Sequence, residues 1–126
     1  MMRVLLVGYD PDGVDFTDPA LPQGMNAEKI RAGITLVLQQ MRDRGWEAEH
    51  CFIQPDASAG PAVERQLASA TYDCVVIGAG VRLPPRRLEV FEAVVNAIHK
   101  GAPRASIAFN TTPLDSAEAA GRWLPG

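Results

Sequence analysis

Cysteine, aromatic rings and excess charge of one sign are all scarce in this sequence. Two cysteines, an aromatic content of 6% and a net charge of −3 over 126 residues each exclude something. Cys51 and Cys74 lack CxxC spacing and fall in predicted strands. They read as buried reduced thiols, which fits a cytoplasmic protein, and not as catalytic ones, because neither sits at a predicted helix N-terminus. The slight negative charge leaves no footprint for non-specific nucleic-acid binding. No apolar run approaches the roughly 20 residues that span a bilayer. Met1-Met2-Arg3 leads straight into a strand, so no signal peptide is expected. Neither low-complexity tract nor linker interrupts the chain, and no internal repeat is visible.

Hydrophobic residues make up 47% of the sequence, which opposes disorder and is enough for the core of one domain, residues 1–126. The organising stretch is Tyr72 to Leu83. Cys74, Val75, Val76 and Ile77 form an unbroken apolar run, as in a strand covered on both faces. Gly78-Ala79-Gly80 then permits a tight turn, with Arg82 immediately after it. Arg3-Val-Leu-Leu-Val-Gly8 has the composition of a central first strand.

The other elements follow in order. Asn26 predicts the N-cap of a first helix with Ile30, Ile34, Val37, Leu38 and Met41 inward and Gly45 as its stop. Residues 47–54 read as a second strand, and Glu47, Glu49 and His50 place it at a sheet edge. Pro61 is expected to open a second helix whose inner face is Val63, Leu67 and Ala70. Pro84 and Pro85 precede a third helix striped by Leu88, Phe91, Val95 and Ile98, with His99 and Lys100 at its end and Gly101 as its stop. Residues 105–110 form a fourth strand. Asp115 and Glu118 have capping-box spacing for a last helix, which Trp123 would pin down.

The order βαβαβαβα, with right-handed crossovers, implies an α/β fold: a single-domain, three-layer, doubly wound sandwich with a four-stranded parallel sheet ordered 2-1-3-4. That architecture resembles the flavodoxin-like and Rossmann-like folds, including receiver domains, flavodoxins and the IIB components of sugar phosphotransferase systems. A receiver domain would need an acidic residue where Ile77-Gly78-Ala79 stands, and a IIB component a cysteine after the first strand. The likeness is therefore one of fold, and fold does not carry function.

In such folds ligands sit where the strand order reverses, between the loops after strands one and three. The expected ligand wall comprises Gly8, Tyr9 and Asp10 on one side and Gly78, Ala79, Gly80, Val81 and Arg82 on the other. Asn110 and Thr111 would contribute from the end of strand four. Backbone amides and Arg82 would hold a small anion-bearing metabolite. The glycines match neither Walker A nor the full dinucleotide fingerprint, so the cofactor stays unknown.

Asp10-Pro-Asp-Gly13 offers a second chemistry. Its spacing resembles motif one of the haloacid dehalogenase-like phosphatases, which implies Asp10 as nucleophile, Asp12 as general acid, Mg²⁺ between them, and Thr111 or Thr112 on the phosphate. No acidic pair closes a later strand and no metal set is assigned. The loop is not an EF-hand, since Leu21 stands at the twelfth position from Asp10. Residues 12–24 are acidic and proline-rich, as a lid over the cleft could be. His50 and His99 fall on elements predicted to lie away from the cleft. Trp46 and Trp123 read as packing anchors. Whether the chain is an enzyme stays open. A non-catalytic module forming a homodimer through the third helix or an edge strand is the competing class, marked by an exposed apolar patch.

Overall fold

The computed structural model describes residues 1–14, 16–17, 24–83 and 87–125. The lid expected over 12–24 and the break at Pro84 and Pro85 fall largely outside them. Four strands, β1 (Arg3–Tyr9), β2 (Glu47–Ile53), β3 (Cys74–Ile77) and β4 (Ser106–Phe109), form one parallel sheet in the order β2-β1-β3-β4. The helices are α1 (Ala27–Asp43), α2 (Ala59–Ser69), α3 (Ala79–Arg82), α4 (Leu88–Gly101) and α5 (Ser116–Gly121). Two 3-10 turns, Pro11–Gly13 and Pro113–Asp115, follow β1 and β4. The expected topology and order are observed.

Strand alternation divides the interior into two cores. Leu5, Val7, Val75 and Ile77 face α2 and α4, meeting Val63, Leu67, Val90, Val94 and Ile98. Val4, Leu6, Cys74 and Val76 face α1 and α5, meeting Val37, Met41, Ala117 and Ala120. All four β3 residues are fully buried, as their unbroken apolar run predicts. Each such side chain contributes about 1.5–3 kcal/mol by leaving water. No helix among the described residues is long and apolar enough to cross a membrane.

Several local expectations hold. Asn26 caps α1 by accepting the Lys29 N–H at 2.9 Å, and Gly45 takes φ 88° just past its end, a conformation a side chain resists. Trp46 is buried, and both cysteines are buried and unbridged.

Others are corrected. In α1 only Val37 and Met41 are buried; Ile30, Ile34 and Leu38 are half-buried because the helix overhangs the sheet edge. Helix α2 begins at Ala59, so Pro61 lies inside its first turn, where a missing N–H is still harmless. Ala70 is its C-cap, and, partly buried, still packs against the same core as Val63 and Leu67. In α4 the buried stripe is Val90, Val94, Ala97 and Ile98, and Leu88 is exposed. Gly101 is helical, with Ala102 as the cap. Asp115 stands at the N-cap of α5 as expected, but its carboxylate makes no capping bond there and instead closes a capping box with Thr112 on the 3-10 turn. Trp123 is 60% exposed, and the neighbouring Leu124 packs into the α1/α5 core instead.

Candidate functional site

The carboxyl ends of β1 and β3 lie side by side, joined by the Gly78 N–H, which donates to the Val7 carbonyl at 3.0 Å. A Cβ on Gly78 would come within 3.3 Å of that same oxygen. Close backbone approach, not unusual torsion, therefore explains this glycine: its φ is an ordinary −65°.

Beyond Gly78 the chain winds into the single turn α3, which consumes amides expected to cradle an anion. Ala79 N–H donates to Asn110 Oδ1 at 2.7 Å. Val81 and Arg82 N–H donate to the Gly78 carbonyl at 3.0 and 3.3 Å. Among the described residues only the Gly80 amide of this stretch has no partner. Gly80 is exposed, and a Cβ added there would meet nothing within 4 Å. Gly80→Ala should therefore raise stability by about 0.5–1 kcal/mol by restricting the unfolded chain. Denaturant unfolding checks this; a loss would mean the turn needs its glycine.

Arg82 reaches toward β4. Its Nη2 donates to the Asn110 carbonyl at 2.8 Å, and its guanidinium lies 5.6 Å from the Phe109 ring centroid. Its Nε is buried without a hydrogen-bond partner. Asn110 is 2% exposed. Its Oδ1 takes the Ala79 amide and its Nδ2 donates to Ser116 Oγ at 2.9 Å, so this side chain fastens β4 to both α3 and α5. Thr111 is held by Asp115, which accepts its N–H at 2.9 Å and its hydroxyl. Burial pulls the Asp115 carboxyl up, but the bonds from Thr111 and Thr112 together hold it below the ordinary value.

On the other side, Tyr9 packs against the α2/α4 core with its phenol oxygen buried and unpartnered. Burial raises its pKa, and the nearby Arg87 charge opposes that. Asp10 turns toward β2. It accepts the Asp12 N–H at 3.0 Å and Gln54 Nε2 at 3.4 Å, which shapes the 3-10 turn. Asp12 pairs with Arg31 at the surface, a contact that screening makes weak. Asp10 and Arg82 thus engage opposite sides of the sheet. Among the described residues, no group of three or more His, Cys, Asp or Glu could hold a metal ion.

Sequence reasoning sets His50 apart from this region. The structure instead seats its Nε2 3.2 Å from where a Gly8 Cβ would stand, because the register pairs Gly8 with Phe52. Burial lowers the His50 pKa to about 4, with the Asp10 charge opposing. Its Nδ1 is buried without a partner, and its ring lies 4.2 Å from that of Phe52. The alternation of Ala48, His50 and Phe52 is the one signal that could have put this imidazole on the α1 face.

Two grooves among the described residues lie away from this cleft. One, of about 470 Å³, runs between α1 and β2 and is lined by Ile34, Leu38, His50 and Phe52 among others. The second, of about 610 Å³, opens at the amino end of the sheet beside Arg3, Glu47 and Asp73. No family model, curated protein or solved structure matches the chain.

Proposed function

We propose that this chain is a cytoplasmic protein that binds a small anionic metabolite at the carboxyl ends of β1 and β3, on the α2/α4 side of the sheet. One observation carries the reading: Tyr9 Oη and Arg82 Nε are buried polar donors without protein partners. They come from the two segments that flank the point where strand order reverses. Buried donors nearly always find acceptors. A carboxylate or phosphate oxygen accepts from both a phenol and a guanidinium, and Arg87 adds positive charge near the phenol. The reading rests on these side chains and on the Gly80 amide, since α3 spends the other amides on itself. Asp10, next to Tyr9 in the chain, is committed to the turn after β1, so no reaction is assigned.

A thermal-shift screen tests this with inorganic phosphate, nucleotides, flavin mononucleotide and sugar phosphates, each with and without Mg²⁺. A ligand at 100 times its Kd should add about 2.7 kcal/mol, seen as a rise of several degrees. The shift should vanish in Arg82→Ala. If it requires Mg²⁺ and is lost in Asp10→Asn, the phosphatase-like alternative with Asp10 and Asp12 replaces this reading.

Tyr9→Phe separates binding from folding. Removing an unpartnered buried hydroxyl should stabilise the free protein by up to about 1 kcal/mol while shrinking the ligand-induced shift. Destabilisation of the free protein would mean the hydroxyl is already satisfied. The alternative of a self-associating module without catalytic function draws support from a different place, the outer edge of β2.

A further inference from the structure

We infer that two copies of this chain pair through their β2 edges, antiparallel and centred on His50. This surface is separate from the anion site proposed above.

Backbone geometry sets the register. Glu47 N–H donates to Met2 O, and Asp10 N–H donates to Ile53 O, both at 2.9 Å. In a parallel ladder, alternate residues bond to the neighbour. Glu47, Glu49, Cys51 and Ile53 therefore bond to β1, while Ala48, His50 and Phe52 direct their amides and carbonyls outward. Among the described residues, the one group that covers them is Arg42, whose Nη2 donates to the Ala48 carbonyl at 3.0 Å. That oxygen keeps a second lone pair. An antiparallel copy centred on His50 sets residue 48 opposite 52, 50 opposite 50 and 52 opposite 48. Each outward-facing residue then meets an outward-facing partner. The opposite edge is less suitable. Strand β4 has four residues, and Arg122 covers its outward Phe109 carbonyl at 2.8 Å.

Side chains agree with this pairing. Phe52 is 48% exposed on the edge, and with half-buried Ile34 and Leu38 it lines the groove along α1. Edge strands that stay monomeric usually carry charge or proline. The charges of β2, Glu47 and Glu49, lie on the α2 side, where Arg3 pairs with both. They leave Ala48, His50 and Phe52 as its uncharged α1 side. Pairing brings Phe52 of one copy over Ala48 of the other and closes the apolar strip from both ends.

Charge fits as well. Asp10 stands at the carboxyl end of β2 beside the Asp12–Arg31 pair, and Arg42 lies against Ala48 toward its amino end. An antiparallel copy sets each acidic end against a basic one, twice by symmetry. A parallel peptide strand would gain no such match.

Sedimentation and light scattering on the full chain should give twice the 13.6 kDa chain mass, with a dimer Kd in the range of about 1–100 μM expected of a small interface. Phe52→Lys should weaken association at least tenfold and keep the native circular-dichroism spectrum, since the site is half-exposed. Phe109→Lys should leave the mass unchanged. His50→Cys, after oxidation, should cross-link as a dimer, because directly opposed residues lie about 5.5 Å apart between Cα atoms, within disulfide reach. The cross-link keeps the test valid if Phe52→Lys fails to fold. A wild-type chain that stays monomeric at about twice the upper of those Kd values overturns the inference. So does a dimer lost in Phe109→Lys but kept in Phe52→Lys.

Discussion

Acidification from pH 7 to pH 4 is expected to cost this fold about 3 kcal/mol through His50 alone. The imidazole titrates near 6.5 in an unfolded chain and at about 4 here, chiefly because burial disfavours its charged form. Between those values the unfolded chain takes up a proton that the folded chain refuses, so acid favours unfolding. The stabilisation is present in full above pH 6.5, falls by about 1.4 kcal/mol per unit as the pH drops toward 4, and then levels off. Urea unfolding across this window measures it. His50→Gln should flatten the curve between pH 6.5 and 4. Curves taken at two protein concentrations separate this effect from association. Parallel curves for wild type and variant would show that the folded imidazole charges freely, and would overturn the account.

The second large effect is expected at Asn110. Asn110→Ala should lower stability by roughly 2–4 kcal/mol, because it strands the part-buried Ala79 amide and opens a space between three elements. For a chain of this size that corresponds to a fall in Tm on the order of 10 °C. The partner Ser116 Oγ still has the Pro113 carbonyl, to which it donates at 2.7 Å. Ser116→Ala alone should therefore cost less, and the double variant should lose less than the two singles summed, as residues in one network do. Full additivity would mean that the Asn110 amide does not couple β4 to α5.

These two residues also show what a single sequence can convey. Strand β3 is legible because a doubly covered strand must be apolar at every position, and Cys74 to Ile77 is. The edge position of β2 is legible from Glu47, Glu49 and His50. The faces of α1 and α4 are not. Apolar residues outnumber the inward positions on both helices, and side-chain size points to Leu88 and Phe91, whereas Val90, Val94 and Ala97 are the residues that turn inward. The surplus apolar residues of α1 lie where the helix overhangs β2. Asn110 is legible as a strand-end residue near the cleft, but a hydrogen bond to an amide 31 positions away leaves no mark in local pattern. His50 beside Gly8 is likewise a matter of register between strands far apart in the chain. The glycines after β3 suggest torsional necessity, whereas Gly78 answers to the carbonyl of Val7 and Gly80 to nothing nearby.

The two thiols lie on opposite faces of the sheet, Cys51 in the core beneath α2 and α4, and Cys74 in the core beneath α1 and α5. Burial raises the pKa of both, Cys74 to about 12, so neither reacts until its own layer opens. Each cysteine is thus a built-in clock for one half of the molecule. Labelling rates at the two sites, resolved by mass spectrometry, would reveal whether the layers come apart together or one after the other.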